Sequence, residues 1–480
     1  NRSIVGHPNH IAALGLVGRT CSSFGAIFSR STEPVVAQLH EYRSGESMEW
    51  KAHGYRVGSS NETFDDIPTD ADELDQFVAL HRRRIEPWLS AVFQAEHLNL
   101  LLGSGFTTSV AFAAGVAATG MDVAAGTSAH AQAIMDHAVA SAKKMGRGEA
   151  NIEDQLRSAI AVLNGLDIID KDAAASVRAD INAAIETFLY SLLATERGIA
   201  DADSAPASAM LQSFLLSFAS RAASRERLHI FTTNYDRLIE RGCDDAGLRI
   251  IDRFVGTLRP LFRNTRIELD YHYNPPGIRG EPRFMEGVVR LTKLHGSLDW
   301  RFDKATRRIY RAETPFGAAE DHPSLPESPV DTVMIYPNPA KDVETTQYPY
   351  AELFRDFASA TCKPNSVVVT YGYGFGDDHI NRVLLDMLSV PSAHLVIIAF
   401  DLDDRIKGFL AQTRPAQVSL LAGRHFGSLQ RLVDDYLPKP ALDYITGRMS
   451  ELLKNRAFTE VPVVVAGPPA DAPAEPGDAA

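Results

Sequence analysis

Cysteine is scarce in this sequence. Three occur in 480 residues, Cys21, Cys243 and Cys362, far apart and with no CxxC pair, so a four-cysteine zinc site cannot be built. Such a set suits a reducing cytoplasm, and cytoplasmic localisation is the expectation. Long hydrophobic runs are also lacking; none approaches the roughly 20 apolar residues a membrane span requires, so no membrane partner is expected. The opening NRSIVGHPNH has no basic-then-apolar order of a secretory leader and no initiator Met, which leaves the natural start open. Positive charge is in deficit. The 48 Lys and Arg stand against 61 Asp and Glu, a net charge of −13. Direct nucleic-acid binding is not expected from such a balance, because phosphates need a cationic surface. The short cluster Arg82, Arg83, Arg84 reads as the solvated face of a helix. No GxxxxGK[ST], HExxH or GxSxG motif is present, which removes P-loop, zincin and α/β-hydrolase chemistry. The fifteen histidines show no metal-ligand spacing, and no metal is expected.

What is present reads as a large α/β chain. Residues 1–95 form a leading segment. Its apolar residues Leu74, Phe77, Val78, Leu80, Ile85, Leu89 and Val92 recur at helical spacing behind Thr69 as N-cap. The texture changes at His97–Gly105, an apolar run ending in glycines, which predicts a buried strand entering a tight turn. AFAAGVAATG after it reads as helix. From about 121 to 227 strand signals are few, and helices are expected at Ile152–Asn164 and Ala173–Leu193. Strands return at His229–Thr232, Val288–Lys293, Thr332–Tyr336, Val367–Thr370 and Leu395–Phe400, with helices at Tyr350–Ala360 and Asp378–Leu388. The alternation predicts a Rossmann-like, doubly wound parallel sheet spanning residues 96–440, with a large helical insertion at about 121–227. Residues 441–480 are expected to hold a C-terminal helix and a disordered Pro/Ala-rich tail.

Four segments sit at the ends of expected strands, where open parallel sheets bind ligands. Gly103-Ser104-Gly105, with Phe106 and Ser109 nearby, could let a pyrophosphate approach the backbone at a helix start, or be a plain strand-to-helix turn. Thr232-Thr233-Asn234-Tyr235-Asp236 is polar without Gly or Pro. The amide of Asn234 can donate and accept at once, whereas Asp236 can cap the next helix. Lys293-Leu294-His295-Gly296-Ser297 sets a histidine, able to act near neutral pH, in an open turn; a lone histidine can equally be structural. Tyr371–Asp378 alternates Gly372, Gly374 and Gly376 with aromatics, as a binding loop or as a turn capped by Asp378.

In this order the four segments, GSGF, TTNYD, KLHGS and GYGFGDDHIN, resemble the sirtuin (silent-information-regulator-type) family, most closely its bacterial antiphage-defence branch. Tyr336–Lys341 and the following YPYAELFRDF are also similar to that branch. The resemblance covers about residues 95–435. It implies Asn234 and His295 as catalytic residues. It further implies Gly103, Ser104, Gly105, Phe106, Ser109, Thr233, Asp236, Gly372, Gly374 and Asp377 as NAD-contacting residues. The missing cysteines argue against the deacetylating members. The implied activity is hydrolysis of NAD, as substrate, to nicotinamide and ADP-ribose, depleting NAD in abortive infection. A non-catalytic NAD- or ADP-ribose-binding regulatory subunit is the alternative. The branch further implies a homo-oligomer and a HerA-type ATPase partner.

Overall fold

Apolar runs such as HLNLLL and SVVVTY do not alternate with polar residues because both faces of the strands they form are covered. The computed structural model describes residues 50–439, except 119, 146–147, 203–204, 223, 265–269, 274–282, 328, 330–332 and 336–347. The early leading segment, Tyr336–Lys341 and the expected C-terminal helix and tail lie outside the described residues.

In chain order the elements begin with β1 (His53–Val57), β2 (Ser60–Phe64), α1 (Ala71–Phe93), β3 (His97–Leu102) and α2 (Ser104–Ala113). Four helices follow: α3 (Ala131–Lys144), α4 (Ile152–Ile169), α5 (Lys171–Asp201) and α6 (Ala205–Ala219). Then come β4 (His229–Thr232), α7 (Leu238–Asp245), β5 (Arg249–Ile251), β6 (Phe254–Val255), β7 (Leu261–Phe262), β8 (His272–Tyr273) and β9 (Arg283–Phe284). Strands β10 (Val288–Lys293), β11 (Gly296–Asp303), β12 (Arg308–Arg311) and β13 (Val333–Ile335) lead to α8 (Tyr350–Thr361). The last stretch holds β14 (Ser366–Tyr371), α9 (Asp378–Ser389), β15 (His394–Ala399), α10 (Asp404–Leu410) and β16 (Val418–Ala422).

The main sheet runs β2-β1-β16-β15-β14-β3-β4-β10-β5. From β16 to β5 every pairing is parallel. This is the expected Rossmann-like α/β sheet. Strand order reverses between β3 and β14, which makes the crevice at their carboxyl ends the topological switch point. Successive residues face opposite cores. Leu100, Leu102, Val367 and Val369 join the layer containing α1, α2 and α6. Leu101, Phe231, Val368 and Ile397 join the layer containing α8, α9 and α10.

Several local expectations are corrected. The texture change at residue 95 is no break in the sheet, because β1 pairs antiparallel with β16 through Gly54, Tyr55 and Arg56. Asp70, not Thr69, caps α1, its carboxylate accepting the amides of Asp72 and Glu73 at 3.0 and 3.1 Å. The buried stripe of α1 is His81, Ile85, Leu89 and Phe93, while Leu80 faces solvent. Arg82 and Arg84 bind Glu86 and Glu62 at the surface. In AFAAGVAATG the helix takes the first three residues and ends at Ala113. The 332–336 strand is β13, antiparallel to β11 in a second sheet of order β13-β11-β12-β7-β6, rather than part of the main sheet. Within the helical insertion, α4 and α5 share a core with Tyr235 and Leu298. Helix α6 packs instead on the main sheet through Leu211, Phe214 and Phe218.

Candidate active site

The four loops suggested by the sequence meet at the switch point. They enclose a cleft of about 490 Å³, within the usual size of small-ligand sites. Its wall includes Gly103, Ser104, Thr233, Asn234, Asp236, His295, Gly374 and Asp377.

The remaining expected residues stand behind that wall. The amide of Gly105 donates to the Gly372 carbonyl at 3.0 Å. A Cβ on Gly105 would lie 2.7 Å from Gly372 Cα, and one on Gly103 would lie 2.5 Å from the Gly372 carbonyl oxygen. Gly372 itself has φ +63°. These glycines permit close approach, but of one loop to the other. Phe106 is fully buried against Phe214 and Tyr371. The Ser109 hydroxyl donates to the Gly105 carbonyl and accepts from Tyr371. None of these four lines the cleft.

Asn234 is fixed from both sides. Its backbone amide donates to the Thr232 hydroxyl. Its side-chain amino group donates to the Gly103 carbonyl and to Thr107 Oγ1, each at 2.9 Å. Thr107 in turn donates to Asp236 at 2.6 Å, and the other Asp236 oxygen accepts the Leu238 amide. Asp236 therefore braces the loop and accepts the first amide of α7, but it stands one residue before the N-cap, Arg237, so the expected cap is displaced. With both amide hydrogens spent on protein, Asn234 Oδ1 is the atom left to accept from a ligand. Below the loop, Lys293 donates to the carbonyls of Tyr235 and Asp236 and pairs with Glu240. Arg237 forms a buried pair with Glu196 of α5 at 2.6 Å, which ties the loop to the insertion.

His295 lies in a turn between β10 and β11 and is 4% exposed rather than open. Its Nδ1 is 3.1 Å from Glu153 Oε1 and its Nε2 is 3.0 Å from Asp377 Oδ2. Glu153 also accepts the Tyr235 hydroxyl at 2.5 Å. Burial works against the charged ring, but the two carboxylates outweigh it and raise the His295 pKa to about 10. Burial likewise disfavours the Asp377 carboxylate; its bonds to His295 prevail and lower its pKa to about 2. Burial also disfavours the Glu153 carboxylate, and its bonds to His295 and Tyr235 lower its pKa all the same. This corrects the expectation of a ring that titrates near neutrality. With both nitrogens donating, no lone pair is available, and a base forms only when one carboxylate lets go.

Asp377, not Asp378, caps α9, its Oδ1 accepting the amides of His379 and Ile380. The glycine loop before it holds Phe375 at φ +50°, an uncommon conformation for a non-glycine residue; Asn381 donates to the Phe375 carbonyl there. Sequence reasoning missed Glu153 and Arg157 of the insertion, and also Thr107, Arg382 and Arg405 on the cleft wall. Arg157 pairs with Asp154 and Arg405 with Asp403, and these two, Arg382 and the positive end of α2 are the groups a diphosphate would meet there. The donor set thus fits a dinucleotide. Among the described residues no cluster suits a metal ion, and no helix is long and apolar enough to cross a membrane.

Residues 228–414 match the family model described as SIR2-like domain. The match takes in Asn234, His295 and the glycine loop, and leaves out Gly103–Gly105 and the helical insertion. Over those residues the chain is similar to a family of NAD-using domains. No curated protein matches the chain.

Proposed function

We propose that the chain hydrolyses NAD to nicotinamide and ADP-ribose. The reading rests on one observation above all: Asn234 and His295 meet both glycine turns at one cleft on the carboxyl ends of the strands. The diphosphate would lie toward α2 and the guanidinium rim, with the nicotinamide ribose toward Asn234 and His295. In the reaction the bond from C1′ to the nicotinamide nitrogen breaks, and its electron pair neutralises the pyridinium. A water oxygen bonds to C1′, and the water's proton passes to a base. Asn234 Oδ1 orients the water or a ribose hydroxyl, and His295 takes the proton once one of its nitrogens is free. A positioned general base contributes about 10²–10⁴-fold. Asn234→Ala and His295→Ala should therefore each reduce nicotinamide release by at least about 100-fold with circular dichroism unchanged. Parental rates in both would overturn the assignment.

The double carboxylate hold on His295 favours a second reading, in which the cleft binds NAD or ADP-ribose as a regulatory ligand. A thermal-shift titration with product analysis separates the two: saturable binding without nicotinamide release supports regulation. Protein deacylation is set aside, since no four-cysteine module can form. We place the activity in cytoplasmic antiphage defence, where NAD depletion aborts infection, in a homo-oligomer partnered by a HerA-type ATPase. Nicotinamide release measured with and without that partner tests this setting.

A further inference from the structure

Two carboxylates hold one imidazole, and they are not held alike. Glu153 stands on α4 in the helical insertion, buried, and is fixed a second time by the Tyr235 hydroxyl at 2.5 Å. Asp377 stands on the glycine loop at the cleft wall, its side chain 19% exposed. Its Oδ1 is committed to capping α9, while Oδ2 alone reaches Nε2 at 3.0 Å. A ligand hydroxyl entering the cleft can compete for the position of Oδ2. Glu153 also lines the cleft, but its side chain is less exposed, at 11%, and its Oε1 holds both the ring and the Tyr235 hydroxyl, so displacing it breaks two bonds where displacing Oδ2 of Asp377 breaks one.

We propose that Glu153 is the positioning residue of His295 and that Asp377 is a displaceable latch on its other nitrogen, released when a sugar hydroxyl of the substrate takes its place. This rests on the NAD-hydrolysing reading and deepens it. On release the Nε2 proton passes to water, which leaves a lone pair on Nε2, while Nδ1–H stays donated to Glu153. That is the tautomer a base needs, and the ring is already aimed. Besides these two acids, the ring meets Tyr235 at 6.2 Å between centroids, from the loop after β4, and the apolar Phe354 at 6.3 Å, from α8. Farther round the cleft stand Asp378, His379 and the rim arginines. The two acids hold the closed site protonated across the physiological range.

The experiment compares the full chain with Asp377→Asn and Glu153→Gln, both near-isosteric. Asparagine still caps a helix, and glutamine still accepts from Tyr235. Ring titration of His295 by NMR, assigned through the His295→Gln spectrum, should give a parental midpoint above pH 8 that falls by at least about one unit in each variant. Asp377→Asn should move the basic-side rise of the pH–kcat profile down by a similar amount. Glu153→Gln should lower kcat about 10–100-fold with KM little changed, and Glu153→Asp should recover part of the loss. A parental ring titrating near 6.5 and unmoved in both variants overturns the proposal. So does a Glu153→Gln effect confined to KM. Shifted titrations with no nicotinamide release from any preparation keep the latch and overturn the hydrolase reading.

Discussion

Replacing His295 with Gln should remove a pH-dependent part of the fold's stability. In the folded chain Glu153 and Asp377 overcome burial and keep the ring charged to about pH 10; in the unfolded chain a histidine titrates near 6.5. Below pH 6.5 both states carry the proton, and the contribution is complete. Between 6.5 and 10 the folded state binds one proton more than the unfolded state, so stability falls as pH rises, and above 10 the contribution is gone. At about 1.4 kcal/mol per pH unit, the parent loses roughly 4 kcal/mol between pH 7 and 10 that the variant does not. With an unfolding entropy of about 2.1 cal/mol/K per residue over the 480 residues of the chain, that is about 4 °C in Tm. Differential scanning calorimetry of both proteins at pH 7, 8, 9 and 10 measures it. The parent's lead in Tm should shrink steadily. A gap constant to within about 1 °C over that range would refute the reasoning, because the clamp then carries no charge of its own.

Two further outcomes follow from packing. Gly103→Ala puts a methyl 2.5 Å from the Gly372 carbonyl oxygen and should cost the fold several degrees of Tm along with ligand binding, while Gly374→Ala, whose nearest neighbour is the Arg405 guanidinium at 3.6 Å, should leave Tm unchanged. Arg237→Met strands the fully buried Glu196 and should destabilise by about 3–5 kcal/mol, read by denaturant unfolding, and loosen the loop that carries Asn234.

The strands of the main sheet were legible because a parallel strand covered on both faces is a continuous apolar word. His229–Thr232 and Val288–Lys293 have the bounds the sequence suggested. Of the second sheet only β13 was legible, and not its place in that sheet. Its longest strand, GSLDWRFD, buries Ser297, Asp299 and Arg301, and burial of polar groups leaves no hydrophobic period to read. Asn234 and His295 could be singled out because each follows such an apolar strand. Glu153 could not. In NIEDQLRS it looks like an ordinary first-turn acid beside the capping box of Asn151 and Asp154, and 142 residues separate it from His295. The glycines were legible as close-approach positions but not as to what approaches, since a backbone 269 residues away leaves no mark on the local sequence.

That Gly103–Gly372 contact has a consequence for synthesis. The loop after β3 takes its shape from the loop after β14, and β14 pairs along the full length of β3. A nascent chain that has reached residue 365 already contains Asn234, Glu153 and His295, but neither the latch nor the second wall of the cleft. The site therefore cannot close until β14 and the loop after it have been made, and a chain truncated before β14 carries Asn234, Glu153 and His295 without the wall that Gly374 and Asp377 supply.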